Sequence, residues 1–222
     1  MKICVCLGAN WQEYWPVYRE KDDLIECRID LMRPEYASFD DLREALEPLV
    51  EDFGHKIILT CKLGSISRAD RHSLFSLLLP LSPAYIDVEY DTPQMEWEIW
   101  RESASKQETK IIASFHHDAE TPSCEELRSI IEHSFSRDAD LVKIVCRCRD
   151  AGDEARLMAL YKIPSCTGRL IVFGMGPYGL SSRLHAAALG APILYAAPDG
   201  GAPTAPGQPS YSQLKEHLLN IL

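Results

Sequence analysis

Eight short β-rich runs alternate with eight helical segments along this chain, and that alternation constrains the fold more than any other feature. The runs are Lys2–Leu7, Leu24–Asp30, Lys56–Lys62, Tyr85–Tyr90, Lys110–His116, Leu141–Arg147, Arg169–Met175 and Pro192–Ala197. After them in turn come helical segments over Trp11–Lys21, Phe39–Phe53, Ser67–Leu79, Met95–Lys106, Cys124–Phe135, Gly152–Lys162, Leu180–Leu189 and Tyr211–Leu222. A strand-then-helix alternation gives parallel strands joined by crossover helices. Eight such units in 222 residues predict an α/β protein with a closed (β/α)8 TIM barrel. An open doubly wound sheet is the competing arrangement, but Gly8-Ala9-Asn10 does not supply the Gly-rich phosphate turn such sheets use after the first strand. No repeat, low-complexity tract or linker interrupts the pattern, so a single domain over residues 1–222 is expected. Helix signals differ in quality. Thr121-Pro122-Ser123 offers a cap and a proline in the first turn before Glu125 and Glu126, whereas Pro16 interrupts the segment after Asn10.

Charge and cysteine usage narrow the class of partner. The formal net charge is -10 with no Lys/Arg-rich run, which disfavours nucleic acid and anionic membranes. No apolar stretch reaches membrane-spanning length, and Leu74 to Leu81 is broken by Pro80. Met1 to Leu7 is apolar but lacks a small-residue cleavage site, so it is expected to be a strand rather than a signal peptide. Among eight cysteines no Cys-x-x-Cys occurs, and Cys4/Cys6 and Cys146/Cys148 stand two apart on expected strands. A reduced cytoplasmic protein with no metal site is the expectation.

Polar residues gather where a barrel of this kind builds its active site, at the C-terminal ends of the strands. Glu26, Arg28 and Asp30 alternate with Ile25, Cys27 and Ile29, so period two puts the charges on one face. Thr60 and Lys62, Asp87 and Glu89, and Ser114 and His116 repeat the pattern on the next three strands. One such strand is ordinary half-exposed alternation. Several together mark a ligand-binding mouth, because parallel strands are covered on their outer faces. The most unusual residue is Lys143, inside the apolar run Leu141-Val142-Lys143-Ile144-Val145. A lysine is almost never buried without a partner, and burial lowers its pKa, giving an amine able to form a Schiff base with a ketone. The bland alternative is a lysine snorkelling from a strand end.

Taken in order, these residues resemble the type I 3-dehydroquinate dehydratases of the shikimate pathway. The likeness rests on Glu26-Cys27-Arg28-Ile29-Asp30, Asp87-Val88-Glu89, Ser114-Phe115-His116 with Thr121-Pro122, Asp140-Leu141-Val142-Lys143-Ile144, the turn Met175-Gly176-Pro177-Tyr178-Gly179-Leu180-Ser181-Ser182-Arg183, and Ala205-Pro206-Gly207-Gln208. The resemblance implies a lyase in which Lys143 forms an imine with the C3 ketone of 3-dehydroquinate. His116 would take the C2 proton and protonate the departing C1 hydroxyl, with no cofactor needed. It also implies Arg183 as carboxylate clamp, Glu26 and Arg28 positioning ring hydroxyls, and Lys62 where the family usually has arginine. Thr204 and Gln208 would lie in a lid over Pro198–Pro209, with a small-molecule substrate and a homodimer as partners.

Three departures stand out. Lys62 lacks the planar fork of arginine. Ile66-Ser67-Arg68 replaces a Glu-Gly-Gly whose glutamate normally orients the histidine, and Glu89, ahead of Asp87, is the expected substitute. His116 is followed by His117, which alternation turns away from Lys143. Two other readings compete: another Schiff-base barrel of the class I aldolase kind, and a non-catalytic relative that binds a dehydroquinate-like acid.

Overall fold

A computed structural model describes residues 1–21, 23–64 and 66–220. Its strands are β1 (Lys2–Leu7), β2 (Leu24–Arg28), β3 (Ile57–Thr60), β4 (Tyr85–Glu89), β5 (Lys110–His117), β6 (Leu141–Arg147), β7 (Leu170–Met175) and β8 (Ile193–Ala196). Its α-helices are α1 (Ile29–Met32), α2 (Phe39–Phe53), α3 (Arg68–Leu78), α4 (Gln94–Lys106), α5 (Cys124–Ser136), α6 (Ala151–Met158), α7 (Gly179–Ala188) and α8 (Tyr211–Leu219). The strands follow the sheet order β7-β6-β5-β4-β3-β2-β1-β8. Chain neighbours are thus sheet neighbours and β8 flanks β1, the strand order of the expected (β/α)8 barrel.

Four departures from the expected boundaries bear on the site and the chain ends. Two 3-10 turns, Trp11–Glu13 and Trp15–Tyr18, replace the helix expected after β1. Pro16 lacks an N–H and crowds the preceding turn, and Asn10 enters with a left-handed φ of 56°. Strand β2 stops at Arg28, so Asp30 sits in the short α1 rather than on the strand. Strand β3 stops at Thr60, which leaves Lys62 in the following loop. Helix α8 stops at Leu219, and Ile221 and Leu222 lie outside the described residues.

The chain divides into two compact units, Cys6–Ile111 and Ile112–Leu222 with Met1–Val5. In the first, β2, β3 and β4 pair in parallel, with Arg28 opposite Thr60 and Thr60 opposite Asp87. Helix α2 begins at a capping box in which Ser38 Oγ accepts from the Asp41 N–H and the Asp41 carboxylate accepts from the Ser38 N–H. Its buried Leu42, Leu46, Leu49 and Phe53 recur at helical spacing and form the face that covers the core. In the second unit, β5, β6 and β7 are parallel and β1 pairs with β8. Every residue of β6 from Leu141 to Cys146 is buried, as a strand covered on both faces requires. Helix α5 is capped by Ser123, whose Oγ accepts from the Glu126 N–H; Pro122 therefore precedes the cap instead of occupying the first turn. No described helix is long and apolar enough to cross a membrane.

Candidate active site

In the unit that holds Lys143, three strands aim their chemistry at one face. Register pairs Ser114 with Lys143 and His116 with Val145 on β5 and β6, and Lys143 with Ile171 on β7. Paired residues share a face and alternate residues return to it, so Ser114, His116, Lys143 and Phe173 lie together. Lys143 is 4% exposed. The snorkelling alternative does not hold, because its Nζ lies 4.0 Å from the ring centroid of Tyr195 on β8. A cation over a tyrosine face is held by the ring quadrupole. Tyr195 in turn lies 6.1 Å from Phe173, and the Arg183 guanidinium sits 4.2 Å from the Phe173 ring. Two aromatic rings therefore link the buried lysine to the buried arginine.

Arg183, fully buried on α7, has further work there. Its Nη1 donates to the carbonyls of Gly179 at 2.6 Å, Gly174 at 3.3 Å and Gly207 at 3.4 Å. It thus joins the start of α7 to the loop after β8. Glycine is required at that junction: a Cβ on Gly179 would meet the Gly207 carbonyl oxygen at 2.7 Å, and Gly207 has a φ of +74°. Within the same loop Gln208 Oε1 accepts from both the Thr204 N–H (2.8 Å) and the Thr204 hydroxyl (3.1 Å). The two lid residues expected from sequence are hydrogen-bonded to each other.

His117 does not share the face of His116. Its Nδ1 accepts from the Glu120 N–H, and its ring lies against Phe115. Its role is to shape the turn after β5. Thr121 is likewise structural: its hydroxyl donates to the Arg147 carbonyl and its own carbonyl accepts from Arg156.

The other unit carries the acidic and basic residues of β2, β3 and β4. Glu26, buried, accepts from the Thr60 hydroxyl at 2.8 Å. Arg28 forms a two-pronged pair with Asp30, Nε to Oδ1 at 3.0 Å and Nη2 to Oδ2 at 2.7 Å. Burial works against the Arg28 charge, but the Asp30 hydrogen bonds and the charges of Glu26 and Asp30 outweigh it, so the guanidinium pKa lies above its ordinary value. The turn at α1 is what lets Asp30 fold back onto Arg28.

The two oxygens of Glu89 accept from the Leu63 N–H at 2.9 Å and from Arg71. Burial raises its pKa, and Leu63 and Arg71 only partly oppose that. Arg71, fully buried on α3, also holds Glu96 at 2.6 Å. Glu89 and Arg71 thus pin the loop after β3, the loop that carries Lys62. Ile66 lines a cleft there with Arg33, Phe39, Gly64, Ser67 and Asp70. Sequence reading missed Arg71, although its spacing from Leu74, Phe75 and Leu78 puts it on the buried face of α3. It also missed Tyr195, the one phenol in an otherwise aliphatic strand.

A test separates the two roles for Glu89. Glu89→Gln, which weakens the hold on Leu63 and Arg71, is expected to raise KM severalfold and lower the melting temperature while leaving the shape of the pH–rate profile unchanged. A downward shift of the basic group in that profile would mean that Glu89 acts on His116 directly.

Among the described residues no cluster of His, Cys, Asp and Glu is arranged to hold a metal ion. None of the eight cysteines is in a disulfide, and Cys124 alone among them is exposed. Burial pushes Cys148 up to about 11 and Cys146 up to about 12, so neither is a ready nucleophile.

The strand order and the alternating helices define a protein of the (β/α)8-barrel class. The sequence profile of the type I 3-dehydroquinase family matches residues 4–221, and the chain belongs to that family. A 3-dehydroquinate dehydratase of Thermococcus gammatolerans is 34% identical over 225 residues, covering 98% of this chain and 97% of the relative. Among solved structures, the 3-dehydroquinate dehydratase of Aquifex aeolicus superposes with a TM-score of 0.84 at 26% identity, over 100% of this chain and 99% of that one. A type I 3-dehydroquinate dehydratase from Clostridium difficile, solved with covalent modified comenic acid, gives 0.84 at 26% identity, over 99% and 92%.

Proposed function

We propose that this chain dehydrates 3-dehydroquinate to 3-dehydroshikimate through a Schiff base on Lys143, with His116 as general acid and base. The observation that carries the reading is Lys143 itself: a lysine 4% exposed, at the centre of a strand, with His116 two positions further along the same face of the neighbouring strand. The amine adds to the C3 ketone, and the cationic imine draws electrons from C2. Histidine can then remove the C2 proton and return it to the leaving C1 hydroxyl, because its ordinary pKa lies near working pH. The imine is the electron sink, and its hydrolysis frees the lysine.

Family correspondence supports Glu26, Arg28, Lys62, Thr204 and Gln208 as substrate-binding residues. Arg183 is assigned to the substrate carboxylate, since a guanidinium offers five donors in a rigid fork. Arg183→Lys keeps one charge but loses the fork and the hold on Gly207. KM should rise about tenfold or more, the scale of a charged hydrogen bond. An unchanged KM would mean that the carboxylate is bound elsewhere, with Lys62 the first alternative. We also propose that residues 1–222 act as one catalytic domain and that the enzyme is a homodimer, on family grounds, and that it works in the cytoplasm, a placement favoured by eight cysteines held outside disulfides.

The reading is tested by incubating the purified chain with 3-dehydroquinate and following the conjugated enone of the product by absorbance. Turnover insensitive to a metal chelator is expected. Carbon–carbon cleavage products would point to an aldolase. Binding without turnover would point to a non-catalytic relative.

A further inference from the structure

Ser114 is 1% exposed, and its hydroxyl has no hydrogen-bond partner among the described residues. Buried hydroxyls are nearly always paired, because one left alone keeps the full cost of its lost hydration. Its neighbours give the position meaning. Ser114 stands directly opposite Lys143 in the β5–β6 register, on the same face, with His116 the next residue of β5 on that face. The Lys143 Nζ lies 4.0 Å from the ring centroid of Tyr195 on β8. A buried hydroxyl without a partner among the described residues therefore stands beside the lysine strand position.

We propose that Ser114 is a catalytic residue of imine formation, its hydroxyl donating a hydrogen bond to the oxygen that the ketone loses as Lys143 adds. The proposal rests on the assignment of Lys143 as the Schiff-base lysine. In the addition, the amine lone pair forms the N–C3 bond and the C=O π pair moves onto oxygen. A proton passes from nitrogen to that oxygen, giving a neutral carbinolamine. The C3–O bond then breaks with its electron pair on oxygen, and oxygen takes a proton from the His116 imidazolium and leaves as water. The nitrogen lone pair closes the C=N bond and leaves the positive charge on nitrogen. Negative charge develops on the same oxygen in both halves, and a fixed donor aimed there stabilises both without giving up its proton. Hydrolysis of the product imine runs the sequence in reverse, so Ser114 serves twice in each turnover.

The test compares the full-length wild-type chain with Ser114→Ala and Ser114→Thr. Three quantities are read with 3-dehydroquinate: the rate of borohydride-trapped adduct at Lys143, the exchange of the ketone oxygen with isotopically labelled water, and kcat with KM. Ser114→Ala should slow trapping and oxygen exchange together by about a hundredfold, the lower end of the range for removing one such donor, with KM little changed. Its melting temperature should equal or exceed that of wild type, since a buried hydroxyl without a partner is being removed. Ser114→Thr, which keeps the hydroxyl, should recover part of the rate. Trapping and exchange at wild-type rates in Ser114→Ala would overturn the proposal. So would a slowed variant whose melting temperature had fallen by several degrees, which would assign Ser114 to packing. A wild-type chain that gave no adduct at Lys143 would remove the imine itself, a failure distinguishable from that of Ser114 alone.

Discussion

Lys143→Ala is expected to lower the rate of dehydration at least about a thousandfold, because a covalent intermediate contributes on that scale or more. The fold should survive. The wild-type chain keeps an ionisable group in a strand otherwise buried, against the face of Tyr195, and replacing buried ionisable groups with apolar ones is often neutral or stabilising. Alanine also leaves a gap where the lysine stem lay, so Lys143→Met, which fills that volume, is the better stability control. Both variants should be inactive, with the methionine variant melting at or above the wild-type temperature. Activity above about a thousandth of wild type in either would exclude nucleophilic catalysis by this lysine.

His116→Ala is expected to cost about a hundredfold to ten-thousandfold in kcat, the range for a positioned general acid–base group. Its pattern should differ from that of the lysine variants. With Lys143 intact the imine can still form, so substrate should remain trappable on the protein while product release nearly stops. The histidine limb of the wild-type pH–rate profile, expected near the ordinary pKa of about 6.5, should vanish. His117→Ala provides the control. His117 is tied to the Glu120 N–H on the opposite face, so its loss should leave kcat close to wild type. A large loss from His117→Ala with little from His116→Ala would reverse the assignment.

The strand pattern was legible because it rests on short-range regularities. Buried apolar runs such as Val142 to Cys146 and caps such as Ser38, Ser123 and Ser210 encode their elements locally. Period two along β5 puts Ser114 and His116 on one face, and the β5–β6 register adds Lys143 to it. The β2 boundary moved because Asp30 left the strand to grip Arg28 with both oxygens, and Glu89 accepts from Leu63 and Arg71. Neither partner choice follows from strand alternation, since alternation gives a side chain's face and not which donor reaches it first. The double duty of Arg183 was hidden for the same reason: its tie to Gly207 joins α7 to a loop more than twenty residues away.

The central claim is that Lys143 becomes covalently attached to the substrate. It is tested most directly by reducing the wild-type enzyme with borohydride in the presence of 3-dehydroquinate and mapping the modified peptide by mass spectrometry. One adduct, on the peptide containing Lys143, formed in step with loss of activity and dependent on substrate, is the predicted result. A chain that dehydrates 3-dehydroquinate yet yields no reducible adduct, or carries it on another lysine such as Lys62, would contradict the account.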